Sequence, residues 1–187
     1  SFFQTAVGSQ EEETQEDAAL YSDSILEEAE NVLPNLSLTW HYRSRSESLI
    51  TFSNKNMYAG SLVTFPDHTT KQKDTGVELQ YVENGVYEER CNEQEAHTCV
   101  QLTMEHFRNH PNRSIGIIAF SVSQEECIER AFELYRAQHP EDEHFFVARR
   151  ENPFFIKNLE NVQGDERDTI LFSICYGKDK NGNMYMN

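Results

Sequence analysis

The sequence predicts an α/β fold in which a mostly parallel sheet is flanked by helices. Residues 115–120 are almost wholly apolar, which is typical of a strand covered by helices on both sides. Residues 170–176 form a second apolar run. Between the two runs, apolar residues recur at helical spacing, at Ile128, Ala131, Phe132 and Tyr135. Strands that alternate with helices predict parallel pairing through right-handed crossovers.

An amphipathic helix with an acidic outer face is predicted near the start of the chain. Its apolar residues recur at helical spacing until Pro34 stops the pattern, and they are Ala18, Ala19, Leu20, Ile25, Leu26, Ala29 and Val32. Residues 36–40 are short and apolar, so we expect a strand there.

A capping box predicts the next helix. Ser44 is followed three residues later by Glu47, and Gly60 is placed to end the helix. The residues expected to face inward are Leu49, Ile50, Phe52 and Met57. Residues 66–76 are polar and predict a surface loop, whereas the alternation within 77–81 predicts an edge strand.

Two further helices have clear sequence signals at both ends. Asn92 with Glu95 should start one helix, and the sequence His-Pro at 110–111 should stop it. Ser123 with Glu126 should start the other, which His-Pro at 139–140 closes. Further strands are predicted at residues 145–148, 154–156 and 170–176.

Length and composition predict one domain without a membrane segment. The 187 residues are 37% hydrophobic, enough for one substantial core. No apolar run approaches the ~20 residues of a membrane span, and the start lacks signal-peptide features, so we expect a cytoplasmic protein. The four cysteines are widely spaced, which predicts reduced thiols and no metal site.

The net charge of −16 argues against simple nucleic-acid binding, which depends on lysine and arginine. The acid is unevenly distributed, because nine acidic residues crowd the first segment, at Glu11, Glu12, Glu13, Glu16, Asp17, Asp23, Glu27, Glu28 and Glu30. Basic residues lie elsewhere, at His41, Arg43, Arg45, Arg149, Arg150 and Lys157. A local basic track therefore remains compatible with the sequence.

The most informative stretch is residues 158–168, where Gly164 lies among polar and acidic groups directly before an apolar run. The sequence Val-Gln-Gly-Asp-Glu-Arg-Asp at 162–168 resembles motif V of superfamily 1 helicases, and residues 36–54 resemble motif IV. Residues 114–124 resemble motif IVa. The resemblance, from about Leu36 to Tyr176, implies the second RecA-like domain of such a helicase.

The resemblance also implies domain boundaries. Residues 1–35 would be an acidic helical segment that follows motif III, and residues 36–187 would be RecA-like domain 2, truncated before motif VI. No Gly-x-x-x-x-Gly-Lys-Ser/Thr loop occurs in the chain, so this piece alone is expected to be inactive in ATP hydrolysis. ATP and Mg²⁺ would be bound mainly by the missing first RecA-like domain, which would be a partner within the same polypeptide.

Arg43 lies between a predicted strand and a predicted helix, at the rim of the sheet where ligands gather in open α/β folds. Its planar guanidinium suits a phosphate whose charge grows during transfer. By resemblance, Arg43 would act catalytically on the γ phosphate and Tyr42 would pack near the adenine. The amide of Gly164 would face the terminal phosphates, and Glu166 would bind the ribose hydroxyls.

The resemblance also implies contacts with a single strand of DNA, our first choice, or of RNA. Asn158 and Ser173 match positions that touch the sugar-phosphate backbone, a contact that positions a strand without reading its sequence. Ala119 stands where many relatives have threonine, so that contact would be lost or would shift to Ser121. His41 is a candidate for stacking a base.

Two other function classes stay open at this point. One is a non-catalytic interaction module, in which the acidic face recruits a partner protein. The other is a magnesium-dependent nuclease built on Asp165, Glu166 and Asp168, because clustered carboxylates can hold hard cations. The nuclease is the weaker alternative, since no lysine accompanies the acids in an acid-x-lysine arrangement.

Overall fold

The computed structural model describes residues 24–44, 46–65, 76–147 and 152–184. The chain divides into two units, residues 1–78 and 79–187. The predictions for residues 18–20, for most of the loop at 66–76 and for residue 148 lie outside the described residues. Within the described ranges, no helix has both the length and the apolar character needed to cross a membrane.

The first unit begins with helix α1, Ile25–Val32, which ends before Pro34 as predicted. Ser24 caps it, because its side-chain oxygen accepts a hydrogen bond from the Glu27 amide at 3.3 Å. Strand β1, Trp40–His41, pairs in parallel with strand β2, Val63–Thr64. The strand expected at 36–40 is thus confirmed only at its end.

Helix α2, Ser48–Met57, begins later than the capping box predicts. Glu47 stands at the N-cap position instead of Ser44 and makes no side-chain cap bond, whereas the Ser44 hydroxyl is hydrogen-bonded to His41 Nε2 at 2.7 Å. Gly60 adopts a φ of +74° past the end of α2, as expected of a terminating glycine. The expected inward face is wrong at three positions, since Leu49, Phe52 and Met57 are all exposed.

The edge strand predicted at 77–81 is wrong. Val77, Leu79 and Tyr81 are all more than 70% exposed, and in the described structure these residues pair with no neighbouring strand. Alternating polarity makes a segment compatible with a half-buried strand, but a strand also needs a ladder partner to satisfy its backbone groups.

The second unit contains two long helices. Helix α3, Glu93–Asn109, begins and ends as predicted, and Asn92 Oδ1 accepts a hydrogen bond from the Glu95 amide at 3.1 Å. Helix α4, Val122–Gln138, ends at His139 as predicted, but its cap is Ser121 instead of Ser123. Ser121 has the extended backbone that a cap requires, whereas Ser123 already lies inside the helix.

Strand β3, Ile115–Ala119, is fully buried, as expected. Strand β4 is Phe155–Asn158 and strand β5 is Thr169–Ser173, close to the predicted positions. The three strands form a parallel sheet, as predicted, in the order β4-β3-β5, so that β3 is central.

The strand predicted at 145–148 is wrong, because this segment is a short helix. Helix α5, His144–Val147, follows the 3₁₀ turn Pro140–Glu143. Phe145 and Phe146 both pack on Phe107, with ring centroids 5.6 Å apart in each case. A short apolar run has no periodicity that distinguishes a strand from a buried helical turn, and here the aromatic packing decides.

The core of the second unit lies on one face of the sheet. Ile115, Ile117 and Ala119 pack there against the apolar faces of α3 and α4. The opposite face carries Gly116, where an added Cβ would lie 2.5 Å from Cζ of Phe155. Phe172 is 59% exposed. The α/β class is confirmed, and both long helices of the described second unit cover the same face of the sheet.

A polar junction joins α3 and α4 to the 3₁₀ turn. Asp142 Oδ2 accepts a hydrogen bond from the Tyr135 hydroxyl at 2.5 Å and one from Arg108 Nη2 at 2.8 Å. The hydrogen bond from Tyr135, followed by the charge of Arg108, holds the pKa of the Asp142 carboxyl below its ordinary value of 3.8.

We predict that Tyr135→Phe lowers the free energy of unfolding by about 2 kcal/mol near pH 7, because it removes the hydrogen bond that the hydroxyl donates to the buried Asp142 carboxylate and the one that it accepts from Arg108 Nη2. A carboxyl whose pKa is lowered by folding stabilises the native state at pH values above its ordinary pKa. This stabilisation is lost as the pH falls through the pKa of the folded state. The difference from wild type should therefore shrink below about pH 4 in urea titrations. Tyr81→Phe, at an exposed tyrosine, is the control, and an equal loss at every pH would contradict the prediction.

Candidate functional site

The buried amide of Gln124 lies at the carboxyl edge of the sheet, in the first turn of α4. Its Oε1 accepts a hydrogen bond from the Asn92 amide at 2.8 Å, and its Nε2 donates to the Asn92 carbonyl at 3.2 Å. The same Nε2 donates to Ser173 Oγ at 3.0 Å. Because the Asn92 N–H can only donate, the orientation of the Gln124 amide is determined. One side chain thus joins α4, the start of α3 and the end of β5.

The Glu95 carboxylate continues this network. Since Ser173 Oγ accepts from Gln124, its hydroxyl proton is directed to Glu95 Oε1, 2.8 Å away. The amide of Cys175 donates to the same carboxylate oxygen at 2.9 Å. Cys175 has a φ of +62°, which is strained for a residue with a side chain. Glu95 therefore holds the turn that follows β5.

Burial raises the pKa of the Cys175 thiol to about 11 and that of the Cys99 thiol to about 12. Glu95 adds to both shifts, because a neighbouring carboxylate disfavours a thiolate. The four cysteines are free thiols. At neutral pH Cys99 and Cys175 therefore stay protonated and act as packing residues.

Asn158 is the last residue of β4, and its side chain is 4% exposed. Its Nδ2 donates to Glu125 Oε2 at 2.7 Å. Its Oδ1 accepts from the amides of Glu160 and Asn161 at 3.0 and 3.1 Å. Asn158 therefore connects the first turn of α4 to the start of the loop that leads to Gly164.

Gly164 lies in an open turn of that loop, with a φ of +88°. No heavy atom lies within 4 Å of the position that a Cβ would take there. The turn is closed by a hydrogen bond from the Asp165 amide to the Val162 carbonyl at 3.1 Å. Glu166 follows on the exposed surface. The side of the main chain on which a Cβ would stand is therefore open at Gly164.

Two of the three acids of the nuclease alternative have separate partners. Asp165 forms an ion pair with Lys157. Asp168 Oδ2 accepts hydrogen bonds from the Ser114 amide and hydroxyl at 2.9 and 2.8 Å. Across the part of the chain that the structure describes, no group of three His, Cys, Asp or Glu side chains could hold a metal ion.

The remaining predicted site residues belong to the first unit. Tyr42 and Arg43 follow β1, and both are exposed. The Ser44 amide donates to His41 Nε2 at 3.1 Å, so this nitrogen carries no proton and also accepts from the Ser44 hydroxyl. These two hydrogen bonds between His41 and Ser44 hold the turn that contains Tyr42 and Arg43.

The predicted site residues therefore form two groups. His41, Tyr42 and Arg43 are in the first unit, and the second unit holds Ser121, Asn158, Gly164, Glu166 and Ser173. Ser121 caps α4 and its hydroxyl lies 3.9 Å from Cys175 Sγ. Asn158 and Ser173 are buried, and their polar atoms are bonded within the protein.

Sequence reasoning missed the parts played by Glu95, Gln124 and Glu125. The pattern of Asn92 and Glu95 indicates only the start of a helix. It does not indicate that the Glu95 carboxylate also bonds to Ser173 of β5. Gln124 was available as a signal, since it is a polar residue on the helix face that carries Ile128 and Ala131. A buried amide at such a position needs partners from other elements.

Parallel strands whose carboxyl ends meet two helix N-termini at one edge define an α/β domain of the RecA-like class. The chain belongs to the AAA domain family, whose model matches residues 21–184. It is 34% identical to a Mycoplasma pneumoniae protein and 33% identical to a Mycoplasma genitalium protein, both named as uncharacterized ATP-dependent helicases.

Both alignments cover 97% of this chain and 17% of the relative, so the chain spans about a sixth of the length of these curated relatives. The similarity to helicases expected from the sequence is confirmed: this is a helicase-like domain. The assignment of individual stretches to motifs IV, IVa and V stays a prediction.

We predict that Gln124→Met lowers the free energy of unfolding by about 3 kcal/mol, because a side chain of similar size would remove the acceptor of the buried Asn92 N–H and the donor to Ser173 Oγ. Chemical denaturation of the chain measures the change. Gln101→Met is the matched control, since Gln101 is exposed on α3, and it should change stability by less than about 0.5 kcal/mol. Equal effects of the two substitutions would show that the Gln124 amide does not stabilise the edge.

Proposed function

We propose that this chain is the second motor domain of an ATP-dependent superfamily 1 helicase and that it supplies part of an ATP cleft and part of a single-strand track. The observation that carries the proposal is the open turn at Gly164. It is a glycine turn with an open Cβ position, in the loop that leaves the carboxyl end of β4, in a chain whose relatives are named ATP-dependent helicases.

In this proposal the nucleotide is shared between two domains. A first RecA-like domain of the same polypeptide would bind ATP and Mg²⁺ for the most part, and this domain alone would not hydrolyse ATP. Tyr42 would pack near the adenine, Gly164 would approach the terminal phosphates through its main chain, and Glu166 would accept hydrogen bonds from the ribose. Arg43 would stabilise the charge that grows on the γ phosphate.

The exposed carboxylate of Glu166 and the exposed guanidinium of Arg43 support these roles, since both side chains reach solvent where a ligand would arrive. Because neither group is buried, neither has to be moved out of a core before it can bind. Closing the two domains around ATP would remove water from both groups and strengthen their interactions with it.

The single-strand track would run along the same edge of the second unit, with DNA as the first choice and RNA as the alternative. Ser121 is half-buried at the N-terminus of α4, a place that suits a phosphate oxygen. Asn158 and Ser173 would shape this edge from within, and the His41 ring would offer a surface to a base. The sequence-independent contacts of a track do not require a positive net charge over the whole chain.

We predict that Arg43→Ala in the full-length protein lowers nucleic-acid-stimulated ATP hydrolysis by a factor of about 100, the size of effect found when one charge-stabilising donor is removed. Steady-state turnover at saturating ATP and single-stranded DNA measures the change.

The control for this prediction is Arg130→Ala, which removes the same charge from an exposed position on α4 and should leave turnover unchanged. Undiminished hydrolysis by the Arg43 variant would reject the role proposed for Arg43. A full-length wild-type protein without nucleic-acid-stimulated hydrolysis would reject the motor itself.

A further inference from the structure

We infer that Glu125 is a positioning residue for ATP, which acts through Asn158 on the loop that carries Gly164. This inference rests on the proposed function, because it is the proposed approach of a phosphate to Gly164 that gives the loop its role. Glu125 itself would not touch the nucleotide.

The geometry at Asn158 carries the first step. Its side-chain amide has a determined orientation, since the amides of Glu160 and Asn161 can only donate and therefore face Oδ1. Nδ2 consequently faces Glu125, and the 2.7 Å contact is a charge-assisted hydrogen bond. Asn158 is 4% exposed, so little water is available to replace a lost partner.

The position of Glu125 carries the second step. It follows Gln124 in the first turn of α4, where the helix dipole favours a carboxylate. Through these neighbouring side chains, one helical turn fixes the ends of both outer strands, with Gln124 bonded to Ser173 of β5 and Glu125 to Asn158 of β4. The start of the Gly164 loop is thereby held in position relative to the central strand β3, because α4 follows β3 directly along the chain.

The far end of the loop has its own anchors, which carries the third step. Asp165 pairs with Lys157 of β4, and the Arg167 guanidinium donates to the Pro153 carbonyl at 2.8 and 3.1 Å. Loss of Glu125 would remove the hydrogen bond that fixes the Asn158 side chain and so loosen its hold on the Glu160 and Asn161 amides, while the Leu159 amide stays bonded to the Ala119 carbonyl and the far end of the loop stays attached. The expected result is a displaced turn at Gly164 within an intact fold, which weakens ATP binding more than it slows the chemical step.

The test compares three variants of the full-length protein. Glu125→Ala removes the acceptor, and Glu125→Gln retains an acceptor oxygen without the charge. Glu126→Ala is the matched control, because Glu126 is the adjacent acid and is exposed. ATP hydrolysis gives KM and kcat, and hydrogen exchange with mass spectrometry follows the backbone amides of residues 159–164 in the absence of nucleotide.

We expect Glu125→Ala to raise KM for ATP about tenfold with kcat changed less than about twofold, the scale of one lost hydrogen bond to a charged group. Glu125→Gln should recover most of this loss. Exchange at residues 159–164 should be faster in Glu125→Ala than in wild type. Glu126→Ala should match the wild type in all three measurements.

The outcomes separate this inference from the proposed function. A wild-type protein that does not hydrolyse ATP would refute the motor, whatever the exchange data show. In a hydrolysing protein, unchanged KM and unchanged exchange in Glu125→Ala would overturn the inference. Faster exchange with an unchanged KM would also overturn it, because Glu125 would then anchor the loop without serving ATP. A fall in kcat with lower thermal stability would assign Glu125 a general structural role instead.

Discussion

The hydrogen bonds of the Gln124 amide are the constraint on which the second unit depends. A buried amide must find partners for its oxygen and both of its protons, and Gln124 finds them on two other elements, in Asn92 and Ser173. These partners fix where α3 begins relative to α4 and where β5 ends. Apolar packing brings the two helices onto the sheet, but it is less directional than a network of three hydrogen bonds. Burial of apolar side chains stabilises the core, and the hydrogen bonds of Gln124 fix the positions of α3 and β5 relative to α4.

Several acids of this strongly acidic chain are bonded within the protein in the second unit. The carboxylates of Glu95 and Glu125 are not open charges, since main-chain amides, a hydroxyl and an amide side chain bond to them. Asp168 is bonded in the same way by Ser114. Acids that serve as internal acceptors contribute to the net charge of −16 while their carboxylates are bonded within the protein.

Local patterns predicted the parts of the structure that depend on local chemistry. The central strand, the cap and length of α3, and the parallel pairing all follow from apolar runs, capping residues and the alternation of elements. At two places the local sequence was compatible with two structures, and tertiary packing decided between them. Ser121 and Ser123 could each cap α4, and the run that begins at Phe145 could form a strand or a helix. The contacts of Gln124 and Glu125 lie 32 to 49 residues away in the chain, so no short pattern could reveal them. The roles proposed for Arg43 and Gly164 came from the resemblance to a known family, and the structure adds for Gly164 a positive φ that glycine adopts easily.

The close approach of Phe155 to Gly116 has a consequence for how this family can diverge. The aromatic ring fills the volume that any side chain at position 116 would occupy, so the two positions share one space. An alanine or valine at 116 would require the Phe155 ring to turn aside or a smaller residue to replace it. A larger residue at 116 together with a smaller one at 155 in a distant relative would therefore mark the pairing of β3 with β4.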